Sequence, residues 1–351
     1  MSTGRATIGT LLLAWFALAA GSCHHTPPAT LDDDASGDDD TSGDDDTSGD
    51  DDTSGDDDTS GDDDTSGDDD TSGDDDTTSG GCDLEVPGDA ASVQAAIDLA
   101  TTGDEICVEA GTYTGLVDFS GKDVRVIGIH GPGSTTLSGG GSGPVVTFAA
   151  GETSNAYMEG FTVTDGAAAD GAGLYIVGAS PTLYQMLLID NTATVRGGGA
   201  YISQSDAILG RVGFQSNNAP QGAGVFVDDG APTFERVTIN TNVASERDGG
   251  MRCEGGATPV LDNVVFNSNQ GSEKGGAIGG DLCHAIIHHT LFVGNEANQG
   301  GALRLKNNSN LTMSHVLLLA NSAEDGGGLY LDSCGWPSMT HSVLRANTAT
   351  S

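Results

Sequence analysis

The chain has 351 residues, with 52 Asp and Glu against 12 Lys and Arg, a formal charge of -40 although only 18% of residues are charged, so the acidity is concentrated. Glycine numbers 54, about double the usual ~7% share, and aromatics are 5%, a balance that favours turn-rich β structure and excludes a helical bundle or coiled coil. The acidity also excludes nucleic acid as a partner, because binding a phosphate backbone requires Lys and Arg to displace its counterions.

Arg5 precedes an apolar stretch from Ile8 to Ala20. It is too short for a bilayer-spanning helix, which takes ~20 residues, and reads as a signal peptide over residues 1–22. Leu18-Ala19-Ala20-Gly21-Ser22-Cys23 resembles the lipobox of bacterial lipoproteins, with Ala20 where that family more often has Leu. The resemblance implies cleavage before Cys23, acylation of its sulfur and amino group, and a lipidated N-terminus over residues 23–31 that takes the membrane as partner. Several acyl chains give stable anchoring where one is marginal. His24 and His25 stand where the family's inner-membrane retention signal would have Asp, so the expected location is the outer membrane, surface-exposed. An extracellular or periplasmic location is the alternative.

Residues 32–81 form the next segment, built on a six-residue repeat, Asp-Asp-Asp-Thr-Ser-Gly, with Asp triplets starting at Asp32, Asp38, Asp44, Asp50, Asp56, Asp62, Asp68 and Asp74. It offers too little apolar surface to offset backbone entropy, so it is expected to be disordered, extended by self-repulsion, and to act as a stalk. Its carboxylates imply weak Ca²⁺ condensation at most, because the spaced ligands of a calcium loop are missing. No other cofactor is expected.

Residues 82–351 carry 28 acids and 11 bases. Ser92 can cap a short helix in which Val93, Ala96, Ile97 and Ala100 share one face. Strand-like runs follow at Glu105–Val108, Val124–Ile127 and Val145–Phe148. From residue 157 a period of about 26 governs the chain, marked by Asn191, Asn217, Asn242, Asn269, Asn295, Asn321 and Asn347. Three residues before each Asn stands a large apolar residue (Leu188, Phe214, Ile239, Phe266, Phe292, Leu318, Leu344), and eight before stands another (Leu183, Leu209, Phe234, Leu261, Ile287, Met313, Met339). A Gly-rich turn and a short alternating strand complete each unit, with pairs such as Leu174 and Ile176, or Met251 and Cys253, pointing inward. One unit cannot bury enough surface to hold itself. Stacked units can, if strands pair in register and the Asn amides bond from coil to coil.

The opening, from Val93-Gln94-Ala95-Ala96-Ile97-Asp98 through Gly103-Asp104-Glu105-Ile106-Cys107-Val108 to Gly111-Thr112-Tyr113, resembles the first coil of pectin-lyase-like β-helices. Phe266 to Asn269 with Gly275-Gly276-Ala277-Ile278, and Phe292 to Asn295 with Gly300-Gly301-Ala302-Leu303, resemble the polymorphic outer membrane protein repeat. The fold class these resemblances imply is all-β, a right-handed single-stranded parallel β-helix of about ten coils over residues 82–351, with a short N-terminal capping helix. The chain stops at Ser351, about one residue before the next Gly run is due. The last coil is therefore expected to lack a cap, consistent with an incomplete domain or with end-to-end self-association.

Six residues before the Asn column stand Gln185, Arg211, Arg236, Asn263, His289, His315 and His341. The three histidines should stack, where imidazoles ~5 Å apart could share a metal, although the column as a whole reads as a polar, solvent-facing turn. Polysaccharide lyases and hydrolases on this scaffold use acidic clusters or paired carboxylates. The candidate acids are Asp228, Asp229, Asp248 and Asp281 and the candidate bases Arg211, Arg236 and Lys274. The galacturonase series is missing, and acids beside Gly turns read as solvated turn formers. Among the cysteines beyond Cys23, Cys82 and Cys107 are expected to pair, and Cys253 falls on an inward column and reads as a buried thiol. Cys283 and Cys334 lie in turns two coils apart, roughly 10 Å and too far to bond each other, and the pairing of these three is otherwise open. The expected function is a non-enzymatic surface structural or adhesive module for glycans or proteins, with a polysaccharide lyase or glycoside hydrolase as the alternative.

Overall fold

A computed structural model describes residues 81–335 and 337–351. The expected signal peptide, the lipidated segment with Cys23, and the Asp-rich segment up to residue 80 lie outside the described residues. Among those described, no helix is long and apolar enough to cross a membrane.

The described chain winds as a parallel β-helix. An eleven-stranded sheet runs from Leu84–Val86 to Ser338–Thr340, a ten-stranded sheet from Gly111–Thr114 to Val343–Arg345, and a nine-stranded sheet from Val117–Asp118 to Leu329–Asp332. A five-stranded sheet made of Ala167–Asp170, Thr192–Arg196, Asn218–Gln221, Val243–Arg247 and Gln270–Gly271 forms a fourth face along the middle of the rod. Strands pair in parallel with the equivalent strand one coil away, so like residues stack. Leu183 pairs with Leu209, Leu209 with Phe234, Phe234 with Leu261, and Leu261 with Ile287. The sequence period produces this directly, since parallel pairing at a constant offset is what a constant repeat length allows.

Alternation in each short strand sends one set of side chains inward. Leu188, Phe214, Ile239, Phe266, Phe292 and Leu318 are fully buried, as are Leu183, Leu209, Phe234, Leu261 and Ile287. In the final coil Met339 and Leu344 are 46% and 45% exposed. At the other end helix α1 (Val93–Leu99) begins where Ser92 Oγ accepts from Ala95 N, and buries Val93, Ala96 and Ile97 against the first coil. Cys82 and Cys107, with Cα atoms 5.6 Å apart, are joined in a disulfide beside it.

The Asn column forms a continuous buried amide ladder. Asn191, Asn217, Asn242, Asn269 and Asn295 each donate both the backbone N–H and Nδ2 to Oδ1 of the Asn in the next coil, at 2.9–3.1 Å. Nδ2 also donates to a carbonyl in the preceding coil, as from Asn242 to Phe214 O at 3.0 Å. Asn321 extends the pattern to Asn347. The buried amides thereby meet the rule that a buried polar group needs partners.

Once per coil the chain turns a corner into the nine-stranded sheet. Gly171, Gly197, Gly222, Gly275, Gly300 and Gly326 hold this corner at φ between 56° and 67°. A side chain there would be strained and would run into backbone of the same turn; at Gly197 it meets the Ala200 carbonyl. One coil breaks the pattern, with Asp248 at φ 63°.

Candidate functional site

That exception organises the most chemically loaded region of the described surface. The outer side of the nine-stranded sheet carries one side chain per coil between the inward pairs: Tyr175, Tyr201, Phe226, Arg252, Gly279, Arg304 and Tyr330 in successive register. Tyr175 stacks on Tyr201 at 5.7 Å, and Tyr201 meets Phe226 at 5.6 Å with the rings tilted by 34°. Although they point away from the core, Tyr201, Phe226, Arg252 and Arg304 are buried. Side chains reaching across the glycine corner cover them. Arg196, last residue of its strand in the five-stranded sheet, lies 4.5 Å over the Tyr201 ring and 5.2 Å from Phe226.

Two polar columns flank this floor. On the corner side run Asp170, Arg196, Gln221, Arg247, Lys274 and Gln299, paired in register. On the other side, two residues beyond the floor, run Ser203, Asp228, Glu254, Asp281, Lys306 and Asp332. Arg196 clamps Asp170 through Nε to Oδ1 at 2.9 Å and Nη2 to Oδ2 at 3.1 Å. Tyr201 donates its hydroxyl to Asp228 Oδ2 at 3.3 Å. Lys306 pairs with Asp332 at 3.0 Å.

Arg252 is the hub. Its Nη1 donates to Asp248 Oδ2 at 2.7 Å, its Nε and Nη2 to Glu254 Oε2 at 2.9 and 2.6 Å, and Nη2 also to Asp281 Oδ2 at 3.1 Å. Three carboxylates, two from adjacent strands and one from the corner, thus converge on one planar fork. Asp248 itself is completely buried, and burial outweighs the attraction of Arg252, raising its carboxyl to about 6. Asp248 Oδ1 has no hydrogen-bond partner, nor have the buried Nε and Nη1 of Arg304.

The coil after Asp248 is altered to match it. Gly279 stands where the floor column otherwise carries a large side chain, and a Cβ there would overlap Asp248 Oδ1. The next residue, Gly280, faces inward opposite Cys253, and a Cβ on it would lie 2.7 Å from Cβ of Cys283. Cys283 uses that space to reach Cys253, and the two form a disulfide between adjacent coils with Cα atoms 5.4 Å apart. Cys253 is therefore not the free buried thiol its column implies. The missing side chain at Gly280 makes room for its partner. Cys334 is the free cysteine among the described residues, half-buried, and burial pushes its thiol up.

The four candidate acids divide. Asp228 and Asp281 share the acidic column, Asp248 is buried beneath it, and Asp229 is an exposed turn residue at φ 67° whose Oδ1 accepts from Gly230 N. Only Asp229 is the solvated turn former that the sequence implies for all four. Of the candidate bases, Lys274 belongs to the corner-side column, whereas Arg211 and Arg236 sit at exposed left-handed turns. Sequence reasoning passed over Arg196, Arg252, Glu254, Tyr201 and Phe226. The signal was present: each floor residue lies between two inward residues of an identified strand, so its outward column could have been read out beside them.

The histidine column stacks, with ring centroids 5.1 Å apart for His289 and His315 and 4.9 Å for His315 and His341, the latter planes 5° from parallel. Each of the three is at φ between 47° and 56° and exposed. Ring nitrogens carry their lone pairs in the ring plane, so stacked imidazoles do not aim at one ion. His289 Nδ1 instead pairs with Asp262 Oδ1 at 2.8 Å. Among the described residues, three potential ligand atoms fall within 4.8 Å at Cys82, Glu105 and Cys107, where both sulfurs are committed to the disulfide. A depression of about 310 Å³, lined by Thr102, Gly103, Asp123, Arg125, Ser154 and Asn155, lies near the N-terminal end. Its charged groups are already used: Arg125 pairs with Glu105 at 3.0 Å and Asp123 accepts from Thr153.

Residues 198–351 match the family model described as right handed beta helix region, in agreement with the coils traced above and with the winding expected from the sequence. Among solved structures, a pectin methylesterase in complex with a hexasaccharide is similar at 9% identity and a TM-score of 0.26. The match covers 67% of this chain and 65% of that one, under two thirds of its length. A likeness at that level carries no weight for function. No curated protein matches the chain.

Proposed function

We propose that the protein is a lipid-anchored, surface-exposed module of the outer membrane that binds an extended glycan along the outer face of its nine-stranded sheet without turning it over. The observation that carries this reading is the run of half-buried polar heads, one per coil on each side of the floor, at the ~4.8 Å interval of parallel strands. Such an array offers hydrogen bonds at regular steps, which suits a polymer with a regular repeat. Several of its heads are fixed in place before a ligand arrives. Asp170, Arg196, Glu254 and Asp281 have side chains 22–30% exposed and each is held by an ion pair, which lowers the ordering cost of binding. In this reading Cys23 carries the acyl anchor and the Asp-rich segment spaces the head from the membrane.

Catalysis is the second reading, on the ground that a carboxyl raised to about 6 is a general-acid trait. Accessibility weighs against it. Asp248 is fully buried beneath Arg252, and a glycosidase pair must flank the scissile bond. A glycan array run beside reducing-end and unsaturated-uronate assays separates the two. Binding without product is expected. Turnover that Asp228→Ala or Asp248→Ala abolishes would overturn the binding reading.

A further inference from the structure

The two polar columns differ in sign where they face each other. On the corner side the central coils present Arg247 and Lys274, paired in register, with Arg304 next on the floor. On the far side the same stretch presents Asp228, Glu254 and Asp281. In a head with 28 acids to 11 bases, cations would be expected to be neutralised. Yet the ion pairs of this face are made by Arg196, Arg252 and Lys306, and among the described residues Arg247, Lys274 and Arg304 join none, although Arg304 and Arg247 lie near enough to the buried Asp248 to attract its carboxylate. Arg304 is 2% exposed with Nε and Nη1 unpartnered. The acidic column keeps acceptors in reserve as well. Arg252 engages Glu254 through Oε2 alone, and Asp228 accepts from Tyr201 through Oδ2 alone.

We infer that the ligand is zwitterionic: a glycan whose repeating unit carries an anionic group on one edge and an ammonium group on the other. The anionic edge lies on Arg247 and Lys274, and the ammonium edge on Asp228 and Glu254. This rests on the glycan-binding reading and names the ligand class. An anionic polymer would leave the acidic column facing like charge, and a cationic one would meet Arg247 and Lys274. Only a ligand bearing both signs satisfies both columns.

The test uses the full chain and four polymers of similar length: partly de-N-acetylated heparosan, which carries carboxylate and ammonium groups, fully N-acetylated heparosan, chitosan, and an uncharged β-glucan. Binding is followed by calorimetry at two salt concentrations. The zwitterionic polymer is expected to bind at least roughly tenfold more tightly than heparosan or the β-glucan, as one added charge-assisted contact allows. Chitosan is compared only between parent and variants, because the Asp-rich segment also attracts a polycation. Arg247→Gln with Lys274→Gln is expected to weaken it and heparosan together. Asp228→Asn with Glu254→Gln is expected to weaken it and chitosan together. Circular dichroism checks that each variant keeps its β spectrum, and Lys274→Gln alone replaces the basic pair if that pair does not fold. Equal affinity for heparosan and its de-N-acetylated form, or a zwitterion affinity untouched by the acidic pair, would overturn the inference. So would equal binding of a mixed Lys/Glu peptide. If the uncharged glucan binds as well as the zwitterion, this inference falls while glycan binding stands; if no polymer binds, both fall.

Discussion

Asn242 accepts from Asn217 through Oδ1 and donates to Asn269 and to the Phe214 carbonyl, so its amide serves groups in two neighbouring coils. Asn242→Ala leaves several buried groups unpaired at ~1–3 kcal/mol each, and a loss of about 3 kcal/mol or more in urea unfolding is expected. A loss below about 1 kcal/mol would mean that water replaces the amide without cost. Asp248 gives a pH signature. Its folded value, about 6, lies above its unfolded value of 3.8, so the native state holds its proton longer. Its contribution is therefore full below pH ~4, is lost as pH rises to about 6, and stays lost above, on the order of 3 kcal/mol in all. Asp248→Asn, tolerable at φ 63° because Asn visits the left-handed region, should remove that slope from the difference between variant and parent stability curves. Gly279→Ala places a methyl on Asp248 Oδ1 and should cost roughly 1–3 kcal/mol, as overpacking does. These residues were hard to read from sequence for one reason. Asp248 in a glycine column and Gly279 in a bulky column each look like noise in the repeat, and only register shows that one fills the space the other vacates.

At the level of strands and coils, the repeat was highly legible. The apolar columns before each Asn fixed which residues face inward, because a parallel coil has only one register that buries them all. The fourth, five-stranded face was less so. Its strands, such as Thr192–Arg196 and Val243–Arg247, bury only alanines, Ala193 and Ala244, and carry no strong apolar alternation. Without that face the corner-side column has no location, so the pairing of Arg196 with Tyr201 and Phe226 could not be anticipated. The Cys253–Cys283 disulfide belongs to this level as well. It closes a separation of 30 residues between adjacent coils, and its removal in a Cys253→Ser, Cys283→Ser double variant should cost roughly 3–4 kcal/mol in the chain-entropy picture. Thermal unfolding with and without reductant checks this; an unchanged midpoint in the double variant would show that packing around Gly280 alone holds the two coils.

For the molecule as a whole, every coil touches chiefly its neighbours, so stability is a sum of coil and interface contributions and need not be lost all at once. Damage should then stay local. In native-state hydrogen exchange, Asn242→Ala is expected to speed amides between residues 217 and 269 while leaving those of Glu105–Val108 and Arg125–Gly128 near parent rates. Uniform acceleration along the rod would show a single cooperative unit instead.

The coil-to-coil separations along the amide ladder, 25, 26 or 27 residues, all close the same bonds. Excising or duplicating one complete winding therefore restores every pairing on either side of the cut, whereas a half-winding would set turns against strands. Gain or loss of one such unit would lengthen or shorten the chain without redesigning it, and with it the charged strip. The protein is in effect a ruler whose graduations are about 4.8 Å, and its reach can be adjusted one mark at a time.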